Sequence, residues 1–155
     1  MSQAIEQLTT IFTTMEAGKK AIGPLKRGTT VGIRIVGDSN DYTFERNSSG
    51  AEIREGRALD PDFILTMGTE AVAQIHDTKG GRIGDFGVSF LKAMMAEEDD
   101  QAVRVQLKAG LFRLTRHGYL KVLLLGGPVV VAFMAKHGYV GPTAVAKAIK
   151  KLKKG

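Results

Sequence analysis

Between Thr29 and Met67 the chain repeatedly places apolar residues at every second position, and this period of two constrains the fold more than any other feature. Val31, Ile33 and Ile35 alternate with Gly32, Arg34 and Val36, and Tyr42, Phe44 and Arg46 continue the pattern. The stretch "AEIREGR" reads as a third strand, and Phe63, Leu65 and Met67 share one face of a fourth. Successive side chains of a strand point to opposite faces, so these stretches are strands with one face turned to a core. "GDSND" and "NSSG" carry residues that tolerate turn geometry, and Pro61 forces a turn before the fourth strand. Four strands in succession predict an antiparallel meander. Val103, Val105 and Leu107 restore the alternation in a fifth.

The rest of the chain has helical spacing. Ile5, Leu8, Phe12 and Met15 recur at intervals of three and four, with Gly18 as the expected stop. "GTEAVAQIHD" predicts a short helix opened by Gly68 or Thr69, with Ala71, Val72 and Ile75 turned inward. Asp85 is placed to cap a helix through "FGVSFLKAMMAEEDD", whose apolar face is Phe86, Phe90, Leu91, Met94 and Met95. Strands grouped together with helices segregated around them indicate an α+β fold, a five-stranded mixed or antiparallel sheet covered on one face by helices. The 155 residues suit a single domain: an N-terminal helix over 1–18, the sheet with inserted helices over 29–110, and apolar C-terminal helices with a basic tail over 111–155.

From Val122 to Ala135 there is no charge, although Lys121 and Lys136 flank the run. A bilayer-spanning helix needs about 20 apolar residues, and this run is shorter and broken by Gly126, Gly127 and Pro128. The first residues lack the basic start and continuous apolar stretch of a secretory signal, so the expected location is cytoplasmic. With no cysteine and only His76, His117 and His137, neither disulfides nor a metal centre is expected, and no cofactor is implied. The formal charge of +6 is concentrated in the tail "TAVAKAIKKLKKG", which contains no acid. A basic end of this kind attracts anionic surfaces.

No catalytic constellation emerges, and the chain is expected not to be an enzyme. Catalysis needs a nucleophile, a base and a group that stabilises developing charge. Ser48 and Ser49 lie in a turn without a nucleophile-elbow context. His76 and Asp77 are neighbours at a helix end, where adjacent side chains are expected to diverge toward solvent. "GGRIGDFG" does not have dinucleotide-binding spacing, and the acidic run "EEDD" lacks the remainder of a calcium loop. Tyr42 and Phe44 sit beside Asp41 and Glu45, which counts against a stacking platform for nucleic acid. "RHGY" at Arg116–Tyr119 returns as "KHGY" at Lys136–Tyr139. The glycines read as helix stops and the histidines as residues favoured at a helix C-terminus.

The order of residues in "EIREGRALDPDFILTMGTEAVAQI" resembles the sterol carrier protein 2-like family of lipid-binding domains. Gly56, Pro61, Asp62, Thr66, Met67, Glu70 and Ile75 stand where that family has a glycine turn, an Asp-containing step into an alternating strand, and a short helix. "VRVQLKAG" resembles the family's later strand. The resemblance implies a hydrophobic tunnel between sheet and helices for a fatty acid, acyl-CoA ester, phospholipid or sterol, with no covalent chemistry. Phe86, Phe90, Met94, Leu123, Leu124, Val130, Phe133 and Met134 are the expected lining, Met being well suited to irregular apolar walls. Lys147, Lys150, Lys151 and Lys154 flank an apolar stripe of the tail and are expected to rest on an anionic membrane. The segment 77–100 is longer than the family's usual connection, and "KKLKKG" is not a peroxisomal address. Three alternatives stay open: an interaction module, for protein or nucleic acid, using the Lys-rich tail; an accessory domain of an enzyme on another chain; and a homodimer through the apolar run.

Overall fold

The structure, a computed structural model, describes residues 2–78, 83–125 and 136. The five strands are β1 (Thr30–Ile35), β2 (Asp41–Asn47), β3 (Gly50–Glu55), β4 (Phe63–Met67) and β5 (Val103–Leu107), in the sheet order β3-β2-β1-β4-β5. The expected alternation holds: Val31, Ile33 and Ile35 are all buried. In register with them on the same face stand Phe44, Tyr42, Leu65 and Met67.

The meander, however, ends at β3. The fourth strand passes to the far side of β1 and pairs with it in parallel, Ile33 opposite Leu65, and β5 then runs antiparallel to β4. Residues 56–62 must therefore carry the chain sideways across about three strand spacings and back down a strand length, a path of roughly 22 Å. Eight peptide steps of extended chain reach about 27 Å, so the crossover runs nearly straight. It lies over the face of the sheet that none of the described helices covers, beside Gly32, Arg34, Ile64 and Gln106. That open face is otherwise laced by ion pairs, Arg34 with Asp41 at 3.2 Å and Arg54 with Glu45 at 2.8 Å and Glu52 at 3.1 Å. Such exposed pairs add little stability each.

The opposite face is covered by α1 (Gln3–Thr13), α2 (Glu16–Ile22), α3 (Thr69–His76) and α4 (Ile83–Met95); α5 (Leu111–Arg116) and α6 (Tyr119–Leu125) follow β5. Ile5, Leu8 and Ile11 of α1 and Ala71, Val72 and Ile75 of α3 form the core with the strand residues. Phe12 meets Phe44 edge-on, with ring centroids 5.3 Å apart.

Gly18 does not stop the first helix. That helix ends at Thr13, where the hydroxyls of Thr9, Thr10 and Thr13 bond back to carbonyls one turn earlier, a contact that competes with the helical ladder. Gly18 is buried inside α2, where an added Cβ would fall on the Ile11 carbonyl oxygen. Its role is close approach of two helices. Asp85 likewise lies in the first turn of α4, two residues inside the start at Ile83, so it favours the positive helix end without capping it.

Candidate functional site

α4 carries two phenylalanines and two methionines, yet it buries only Phe86 and Ala93 fully. Ile83, Phe90 and Met94 pack partly against the core, as do Tyr119 and Val122 from the next layer, and Met95 is 46% exposed. Phe86 and Phe90 stack at a tilt with centroids 6.2 Å apart. Three residues of the expected lining, Phe86, Phe90 and Met94, are thus brought onto one incompletely covered helix face. Leu123 and Leu124 fall in α6, whose neighbour Leu125 is 39% exposed. Val130, Phe133, Met134 and the tail lysines Lys147, Lys150, Lys151 and Lys154 lie outside the described residues, as does the second "HGY".

Half-open clefts lie elsewhere among the described residues. One, of about 360 Å³, lies under the crossover and is lined by Arg34, Arg57, Asp60, Ile64, Gln106 and Lys108 among others. The second, of about 390 Å³, lies between Phe12, Lys19, Ile22 and the β2–β3 turn at Ser48–Ala51. Neither is lined by Phe86, Phe90 or Met94.

The most concentrated polar chemistry lies at the entry to β4. Asp62 is fully buried. Its Oδ1 faces Arg113 Nε at 2.7 Å, and its Oδ2 lies 2.7 Å from His117 Nδ1 and accepts from the Tyr119 hydroxyl at 3.0 Å. The backbone of Asp62 is equally engaged: its N–H donates to Thr30 O, and its carbonyl accepts from the N–H groups of Lys108 and Ala109. One residue thereby joins β1, the end of β5, α5 and α6. Pro61 before it keeps the chain extended, and the left-handed Asp60, with φ of 46°, turns it into the strand. Tyr119 also meets Phe63 edge-on at 5.0 Å.

Burial, with the Asp62 charge second, raises the Tyr119 phenol far above its ordinary value of 10.0. A raised folded-state value means stability is present below pH 10 and lost as pH rises through the gap, because the phenol ionises freely only in the unfolded chain. Unfolding experiments above pH 10 are therefore expected to show stability falling with pH, and Tyr119→Phe should flatten that slope. An unchanged slope in the variant would place Tyr119 in contact with water.

Asp62 stood in the sequence only as the step into a strand, Tyr119 only as part of the repeated "HGY", and Arg113 gave no signal. His117 was expected at a helix C-terminus. It does follow the last residue of α5, and Gly118, with φ of 97°, ends that helix as expected. The imidazole, however, turns to Asp62. His76 and Asp77 also depart from expectation: they meet at 3.1 Å on the surface, because Asp77 has left helical geometry. Among the described residues there is no group of three or more potential metal ligands, and no helix is long and apolar enough to cross a membrane.

No protein-family model matches the chain, and no curated protein matches it. Among solved structures it is similar to one described as "UbiJ-SCP2 Ubiquinone synthesis protein", at 15% identity and a TM-score of 0.43, over 77% of this chain and 90% of that one. The chain is an α+β protein with a five-stranded mixed sheet.

Proposed function

We propose that the protein is a non-enzymatic lipid carrier that holds one acyl chain or sterol-like molecule against α4, on the helix side of the sheet. The observation that carries this reading is the Phe/Met face of α4, which packs on the core yet leaves Phe90, Leu91, Met94 and Met95 incompletely buried. Side chains of this kind make an adaptable wall for a flexible ligand. The driving force is removal of the chain from water, about 0.8 kcal/mol per methylene. For a long acyl chain this leaves an affinity on the order of micromolar after ordering costs. The basic tail would bring the carrier to anionic membranes.

Mass spectrometry under native conditions, repeated after denaturation and organic extraction, tests the proposal. A lipid released only on denaturation supports an enclosed site and identifies the ligand class. An empty protein that also refuses long-chain acyl-CoA and fluorescent fatty acid overturns it. Phe90→Asp is expected to reduce uptake at least tenfold, since a carboxylate in an apolar wall must stay hydrated or unpaired. Undiminished uptake by a folded variant, checked by circular dichroism, removes Phe90 from the wall.

A further inference from the structure

The two most exposed large apolar side chains among the described residues, Leu59 at 89% and Phe112 at 79%, are carried by segments that meet although they are far apart in sequence. Leu59 lies on the crossover between β3 and β4, and Phe112 lies in the first turn of α5. The residue after each ties them together: Arg113 donates to the Asp60 carbonyl at 2.8 Å and to its carboxylate at 3.2 Å. The same guanidinium reaches inward to Asp62, so the pair is held on a braced support. Scattered exposed apolar residues are ordinary, but two large ones held on braced, adjoining segments form a surface on which a partner can rest.

Exposed cations lie on these segments and on those adjoining them. Lys108 follows β5 and donates its backbone N–H to Asp62, Lys26 donates its own to the His117 carbonyl, and the Arg116 guanidinium stands 5.8 Å over the Phe112 ring. Arg27 and Arg57 lie on the adjoining segments, and all five cations are exposed. The nearby acids are already engaged, Asp60 by Arg113 and Asp62 by Arg113 and His117. The surface therefore presents apolar tips among five exposed cations.

We infer that this end of the molecule docks on an anionic bilayer surface, with Leu59 and Phe112 entering between the headgroups and the cations meeting lipid phosphates. Apolar burial combined with attraction to anionic lipid is what holds a peripheral protein at an interface. A nucleic-acid strand fits less well, because Leu59 has no ring on which a base can stack. The surface is separate from the tail lysines, and docking there does not depend on a lipid being carried inside.

The chain contains no tryptophan, so Phe112→Trp places a single reporter on this surface. Titrated with phosphatidylcholine vesicles with and without phosphatidylglycerol, its emission is expected to shift to the blue, and to be quenched by brominated acyl chains, only when phosphatidylglycerol is present. Leu59→Ser combined with Phe112→Ser is expected to weaken vesicle flotation on the order of tenfold. Both side chains are exposed, so this variant should fold normally. Full-length protein with Lys147, Lys150, Lys151 and Lys154 replaced by Gln is expected to keep docking. Flotation unaffected by the double serine change, or abolished by the tail changes alone, overturns the inference. So does binding to an RNA oligonucleotide, rather than to vesicles, that the serine changes remove.

Discussion

Asp62→Ala is expected to destabilise the protein by about 3–5 kcal/mol, a large share of the 5–15 kcal/mol that typically holds a domain together. The carboxylate is fully buried, pairs with the Arg113 guanidinium and meets an imidazole and a phenol, so its removal strips Arg113 of its inner counter-charge and leaves the His117 and Tyr119 polar atoms facing a void. Unpaired buried polar groups lose the water they had in the unfolded chain without gaining a partner. The backbone bonds of Asp62 to Thr30, Lys108 and Ala109 survive the change, so the loss should read out the side-chain network alone. Urea unfolding followed by circular dichroism measures it as a lower midpoint at unchanged slope. Asp62→Asn keeps the shape and loses the charge, and should fall between wild type and alanine. A loss below about 1 kcal/mol for the alanine variant would put the network in the class of surface ion pairs.

The second large effect is expected at Gly118. Its φ of 97° is strained for any residue with a side chain, and an added Cβ would also fall on the carbonyl oxygen of Pro24. Gly28 is the natural control, because its φ of 89° is similar but nothing lies within 4 Å of its Cβ position. Gly28→Ala should therefore cost only the conformational term, about 1–2 kcal/mol. Gly118→Ala must in addition push the 24–26 loop away from the joint between α5 and α6, for a total of about 3 kcal/mol or more. Equal losses at the two positions would mean that the loop moves aside freely and that the joint is not tightly packed.

What could be read locally was largely read correctly. A strand with one buried face must alternate whatever its neighbours are, so Val31, Ile33, Ile35, Leu65 and Met67 declared their face before any partner was known. The spacing of Ala71, Val72 and Ile75 placed α3 in the same way. The Phe/Met face of the helix after Asp85 was visible too, and the structure leaves it partly uncovered.

Pairing was not legible, because an edge strand offers the same backbone donors and acceptors to any partner, parallel or antiparallel. Nothing within "DFILTM" states that it lies beside β1 rather than β3; the crossover over the open face decides it. The Asp62 network was hidden for the same reason, since its members are separated by 55 and 57 positions and none has a local periodicity to announce it. Gly18 shows the limit at a single residue. Its lack of a side chain is a fact of sequence, but whether that freedom ends a helix or lets two helices touch depends on what the rest of the chain brings against it. The one-sided faces of strands and helices follow from local geometry; their partners, the buried aspartate and the exposed pair at Leu59 and Phe112 exist only once distant segments meet.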